Sequence, residues 1–396
     1  MHYSYKSYIR KLITIEKKVT NSVERCETNM ISNLGVRLSE KVLLERRENA
    51  KKVIEGCRKD NRFYASTHNY REPWLRDLVY SIDILLSLGY VKEVKNQLSQ
   101  FIKLQRKDGQ MPTVIDYGMR KLFYLRFQSC PSDTEILFII GMLKYNNFAR
   151  DEFFKENEDA VNSALVFIKS HLNEHQLIPG MDWRDAMPNY RGKFLLANQM
   201  LLVDMYELLG KQTDAIKVKI NVNKFFYSKE KCCSADSIYW EDGKLKQDHN
   251  FDCLGNALAV LNGTVSDVSE GILKGFKAAK TPFGYRNITP YYVFNRAKLF
   301  TSWDNLCLVL NGSFLRNTPG VYQNSAIWPF IELRVIYALN KLKATIETEE
   351  AIKLMLEREG FNEFYNPRNG APGGSKSQLW TAAAVLSAID LVQMSL

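Results

Sequence analysis

The chain contains no apolar run long enough to span a bilayer, and Met1-His2-Tyr3-Ser4-Tyr5-Lys6 lacks the apolar core of a secretion signal. The reading is a cytoplasmic protein with no membrane partner. Cysteine is sparse: seven residues in 396, an odd number scattered as Cys26, Cys57, Cys130, Cys232, Cys233, Cys253 and Cys307. Their spacing fits neither a disulfide framework nor a structural zinc site. The five histidines, His2, His68, His171, His175 and His249, form no zinc motif. A Gly-rich phosphate loop, a βαβ alternation and a Pro/Ser linker are all missing, so nothing in the chain calls for a nucleotide, a metal or another cofactor.

Charge excludes less. The formal net charge is +10, but residues 1–60 carry 14 Lys/Arg against 8 Asp/Glu, which puts +6 there and leaves +4 for the remaining 336 residues. The excess therefore belongs to a basic N-terminal segment rather than a groove, and reads as a solvated helix face with no nucleic-acid partner. With 45% hydrophobic and 25% charged residues, the composition is that of a globular protein.

What the sequence has in quantity is helical periodicity. Leu43, Ala50, Ile54 and Cys57 form one stripe, Leu78, Ile82, Leu85 and Leu86 a second, and Ile136, Ile139, Ile140 and Leu143 a third. Further helices are predicted near 91–106, 158–172, 193–209, 211–227, 252–262, 265–277, 324–343, 347–359 and 376–394. Only Ser237–Trp240 and Tyr291–Phe294 read as short strands. About a dozen helices with few strands make an all-α chain, and helix pairs at loose intervals suit a toroid of six hairpins.

Acids and aromatic rings are concentrated between these helices. Gly360 to Gly374 sets Glu363 among Phe361, Phe364 and Tyr365 in a segment whose Gly and Pro keep it irregular. Ile178 to Pro188 holds Asp182, Trp183, Arg184 and Asp185. Tyr70, Trp74, Arg76 and Asp77 precede one helix, and Asp133 opens another in Ser132-Asp133-Thr134-Glu135. Gln323, Asn324 and Trp328 introduce a late helix, and Lys376, Gln378 and Trp380 follow the Glu363 loop. Each acid has an ordinary explanation as a cap or a surface charge. Together they describe a carbohydrate pocket, in which rings stack on sugar faces and two carboxyls handle the proton and the water of glycoside hydrolysis.

The ordered motifs resemble a known superfamily. Tyr64-Ala65-Ser66, Tyr70 and Trp74-Leu75-Arg76-Asp77 resemble the "AS…Y…WxRD" signature of the (α/α)6-barrel glycoside hydrolases. Gly180-Met181-Asp182-Trp183 resembles the general-acid loop of trehalases, of the family of processing α-glucosidase and mannosylglycerate hydrolases, of neutral invertases and of amylo-α-1,6-glucosidase domains. Asn324 to Pro329 is similar to "HNGxIWP", and Glu363 to Pro367 with Trp380 to Ala383 to "ExYxPxTG…WTAA".

The resemblance implies an (α/α)6 barrel over residues 38–396 behind a basic helical extension, residues 1–37. It implies an exo-acting, inverting hydrolase of an α-glucoside, with Asp182 as proton donor, Asp185 as the reserve acid and Glu363 as base. Tyr70, Trp74, Arg76, Asp77, Asp133, Trp183, Gln323, Asn324, Trp328, Lys376, Gln378 and Trp380 are then substrate-binding. Gln323 stands where relatives have His, and Arg368-Asn369-Gly370 where they have Thr-Gly, so the glycoside itself is open among trehalose, sucrose, a 1,6-branched glucan, and glucosyl- or mannosylglycerate. Two other readings stay open: a sugar epimerase or isomerase using His249 as base, and a sugar-binding protein without turnover.

Overall fold

The computed structural model describes residues 39–115, 133–187, 192–228, 233–265, 269–293 and 316–394. The basic segment 1–37, Trp303 and Phe294 lie outside them. Among the described residues run twelve helices of nine residues or more. They are α1 (Glu40–Cys57), α2 (Leu75–Ser87), α3 (Val91–Lys103), α4 (Asp133–Ala149), α5 (Glu158–Ser170) and α6 (Leu196–Leu208). There follow α7 (Gln212–Phe225), α8 (Cys253–Leu261), α9 (Ser269–Ala279), α10 (Pro329–Lys341), α11 (Thr345–Glu357) and α12 (Leu379–Met394).

Their ends follow from local chemistry. Ser39 caps α1 by accepting from the Val42 amide, Asp252 caps α8 through Leu254 and Gly255, and Pro329 opens α10 where its missing N–H is no loss. Two predicted helices begin later than expected, at Pro329 rather than 324 and at Leu379 rather than 376. In both, the residues ahead of the helix are spent on loop contacts described below.

Burial sorts the helices into two sets. The even-numbered ones are apolar around most of their circumference: α4 buries Asp133 through Leu143 without a break, and α8 buries Cys253 through Val260. The odd-numbered ones bury a single stripe, such as Val94, Gln97, Leu98 and Phe101 of α3. Packing follows suit, with α2 on α4, α4 on α6, α6 on α8, α8 on α10, α10 on α12, and α12 back on α2. The odd helices cover this ring from outside, α3 on α2 and α4, α7 on α6, α11 on α10 and α12, and α1 on α12.

Strands are few and short. Ser237–Glu241 pairs antiparallel with Lys244–Asp248 around Asp242-Gly243, both at positive φ as a tight hairpin turn requires. Phe194–Leu195 adds to the hairpin edge and leads directly into α6. The strand expected at Tyr291–Phe294 is not formed: residues 291–293 are irregular, because Tyr292 spends its backbone N–H and C=O on the Asn324 side chain.

Candidate active site

The N-terminal ends of the inner helices are cross-linked to one another and to the loops that lead into them. Arg76, in the first turn of α2, donates through Nε to both oxygens of Asp133 at the start of α4, each at 2.9 Å. The Asp133 amide donates to Met181 in the acid loop, and Asn198 of α6 donates to the same carbonyl. Gln378, just before α12, donates to Asp77 of α2 at 2.7 Å. The residues quoted from scattered motifs thus share one end of the ring.

The acid loop separates its two aspartates. Asp182 is 1% exposed and accepts from Arg184 at both oxygens, at 3.1 Å and 3.0 Å from Nε and 2.8 Å from the backbone amide. Arg184 is itself fully buried and continues to Asp236 at 2.7 Å and to Asp252, the cap of α8, at 3.7 Å. The Tyr292 hydroxyl donates to the other Asp236 oxygen. One buried cation shared by three carboxylates from separate segments is a framework for the loop. Burial pushes the Asp252 carboxyl up, against the pull of Arg184.

Three residues on, Asp185 keeps 21% of its side chain exposed. One oxygen accepts from Arg76 at 2.7 Å and the other from Gln323 at 3.2 Å. Gln323 also donates to the Trp183 carbonyl and accepts from the Ala186 amide, so it clamps the loop across its width. The guanidinium of Arg76 donates to Asp133, Asp185 and the Asp182 carbonyl. Arg76 and Asp133 are thus joined to each other and, through Arg76, to the acid loop. Burial pushes Asp133 up to about 6, with Arg76 opposing.

Glu363 is 3% exposed and sits in a loop shaped around it. Its amide donates to the Ser375 carbonyl, and the Ser375 amide donates back to its carboxylate, both at 2.9 Å. Gly374, at φ +68°, has no room for a side chain, because a Cβ there would run into the Glu363 carboxylate. The loop is tied to its surroundings by paired backbone bonds between Tyr365 and Ile327 and by the Ser375 hydroxyl on Ser66. Burial pushes the Glu363 carboxyl up to about 7; the Asp185 charge adds to this, while the Ser375 amide, Arg316 and the Tyr322 hydroxyl oppose it. Asp77 is pushed up to about 8 by burial and then by the Glu363 charge.

Between and beneath the acids lies a nest of rings. Trp380 stacks on Phe330 at 4.6 Å, Phe330 contacts Trp183 at 5.4 Å and Tyr80 at 4.8 Å, and Trp328 touches Trp183, Tyr322 and Phe364. Tyr70 and Trp74 meet edge to face at 6.1 Å. Four buried polar atoms, Nε1 of Trp183 and Trp380, the Tyr80 hydroxyl and Oε1 of Gln378, have no hydrogen-bond partner among the described residues. Buried donors and acceptors left in this state are groups a polyhydroxylated ligand would pair.

Three expected binding residues are placed otherwise. Asn324 spends its whole amide on Tyr292 and Asn317. Trp328 is 1% exposed, its indole N–H given to the Tyr322 carbonyl. Lys376 is exposed, its carbonyl accepting from the Ser375 hydroxyl at 3.5 Å. His249 is exposed, directly after the hairpin strand that ends at Asp248. Conversely, Arg184 and Ser375 hold the acids without having been singled out. Arg184 had one signal, its place between two loop aspartates.

No family model matches the sequence, and no curated protein matches it. Solved structures do resemble it. A GH63 mannosylglycerate hydrolase from Thermus thermophilus, bound to Tris and D-glycerate, superposes with a TM-score of 0.64 at 12% identity, covering 86% of this chain and 99% of its own. A rhamnosidase from Klebsiella oxytoca with rhamnose bound gives 0.58 at 13% identity, covering 92% and 67%. An alpha-amylase from Clostridium perfringens gives 0.57 at 12% identity, covering 87% and 96%. The helix-rich fold of this chain is one shared with glycoside hydrolases.

Proposed function

We propose that the protein is an inverting, exo-acting glycoside hydrolase built on an (α/α)6 barrel, acting on an α-glucoside. The observation that carries this reading is that the loops of Asp185 and Glu363 meet at one aromatic nest, Trp328 touching both Trp183 and Phe364, beside buried polar atoms unpaired among the described residues. The closed order of the six inner helices supports the barrel, and the glycosidase names of the structural neighbours support the chemistry.

Asp185 replaces Asp182 as the proton donor in this reading. Asp182 is locked to Arg184, whereas Asp185 is partly exposed and its partners Arg76 and Gln323 stabilise the carboxylate left once its proton has gone to the leaving oxygen. Glu363 accepts from the Ser375 amide, a geometry suited to a carboxylate that deprotonates water. One observation favours exchanged roles: burial pushes the Glu363 carboxyl up to about 7, within the range of a proton donor.

The experiment is a screen of trehalose, sucrose, a 1,6-branched glucan, and glucosyl- and mannosylglycerate, with product anomers followed by NMR. Inversion of the anomeric centre is the expected result; retention or an intact substrate pool refutes the mechanism. α-Glucosyl fluoride then assigns the roles, because its leaving group needs little protonation. With it, Asp185→Asn keeps turnover and Glu363→Gln loses it, and the opposite pattern establishes the exchange.

A further inference from the structure

Charge is unevenly distributed around the two acids. Three segments border them: the 66–72 loop ahead of α2, the 316–324 loop ahead of α10, and residues 364–377 after Glu363. The first is tied to the last through the Ser375 hydroxyl, which meets that of Ser66 and accepts from the Asn69 amide at 3.2 Å, and the Ser375 amide bonds Glu363. In the second, Asn317 donates at 2.8 Å to the carbonyl of Ala186, the residue after Asp185, and Gln323 donates to Asp185 itself. The three segments therefore form one rim beside the acids.

The exposed charges on this rim are of one sign. Arg71, Arg316, Arg368 and Lys376 are all exposed, and none ends in an ion pair among the described residues. Arg71 gives its Nε to the Thr67 carbonyl, and Arg368 lies over the Gly320 turn, where an added methyl would sit 3.7 Å from its guanidinium. The one acid on the three segments, Glu72, is partly buried, with Oε2 turned inward. These 30 residues hold a net +3, whereas all 336 beyond residue 60 hold +4. Exposed cations on the outer helices behave otherwise: Lys51 pairs with Glu48, Lys274 with Glu270 and Lys353 with Glu357.

We propose that the rim selects a glycoside whose leaving part carries a phosphate group, which Arg71, Arg316, Arg368 and Lys376 attract and hold. This rests on the hydrolase reading and names its substrate class. Phosphate suits the rim better than a carboxylate: it brings about two negative charges and several acceptor oxygens, and guanidinium forks match it in pairs. Exposed charges of this kind steer and discriminate, and salt screens them.

The test uses the full chain and ligands that differ in charge. α-Glucosylglycerol, its phosphate ester on the glycerol, and α-glucosylglycerate are compared as substrates. Glycerol 3-phosphate and glycerol are titrated by calorimetry, which needs no turnover. At about 50 mM salt the phosphate ester is expected to exceed both other substrates in kcat/KM by about tenfold or more, chiefly through KM, and the advantage shrinks at about 500 mM. Arg316→Gln/Arg368→Gln removes that advantage and weakens glycerol 3-phosphate binding by about tenfold or more. Lys92→Gln/Lys343→Gln neutralises as much charge beyond the C-terminal ends of α2 and α10, and keeps both. Equal affinity for glycerol and glycerol 3-phosphate, a preference for the glycerate, or equal losses in the two double variants overturns the proposal. Cleavage of neutral glycosides without a phosphate preference removes only this inference. Glycerol 3-phosphate binding through Arg316 and Arg368 with no glycoside cleaved removes the hydrolase reading and keeps the ligand class of the rim.

Discussion

Asp182 and Asp185 differ by three positions, and the side chain between them decides their fates. Arg184 takes Asp182 into the interior, so Asp182→Asn weakens charge-assisted hydrogen bonds to a buried cation that keeps Asp236 and Asp252, and lowers stability by about 1–3 kcal/mol, read as a fall in melting temperature. Asp185→Asn and Glu363→Gln instead melt close to wild type and lose about 10²- to 10⁴-fold in turnover on natural glycosides. Gly374→Ala should act like a damaged base, because its methyl group displaces the Glu363 carboxylate. The sequence made both loops legible as acid-aromatic sites. It did not show which aspartate faces outward, since loop spacing carries no periodicity and the partners Arg76, Gln323 and Asp236 come from distant segments.

At the scale of elements, the helices were readable because each outer helix presents a 3.6-residue stripe and each inner one a nearly unbroken apolar run. Their starts were less so: residues 324–328 and 376–378 have helix-compatible composition, yet Asn324, Trp328 and Gln378 are held by tertiary bonds that a local reading cannot see. Gly275 in α9 gives a prediction here. Alanine would gain about 0.8–1.0 kcal/mol of helix propensity, but its methyl would strike the Phe251 ring, and overpacking costs about 1–3 kcal/mol. Gly275→Ala is therefore expected to be destabilised in denaturant unfolding, with Gly275→Ala/Phe251→Leu recovering part of the loss.

For the whole molecule, burial raises several carboxyls together: Asp133 to about 6, Glu363 and Asp204 to about 7, and Asp77 to about 8. Unfolded, such groups titrate near 4. Between about pH 4 and 8 the native state holds more protons than the unfolded one, so stability is greatest below this window and declines as pH rises through the native values. The melting temperature should be lower at pH 9 than at pH 6, and Asp204→Asn should flatten part of that slope. This burden of buried acid was invisible in the sequence, where the same residues read as caps and surface charges.

The packing of α1 and α2 on α12 joins the beginning of the described chain to its end. Contacts between segments some three hundred positions apart form late and slowly during folding. During synthesis, the first helices must wait for α12, the wall that completes their burial, while most of the chain is made. The Glu363 loop is translated 178 residues after Asp185. A nascent chain halted before residue 360 would display Asp185, Trp183 and Trp74 without Glu363 or the closing wall, an exposed apolar surface that chaperones bind.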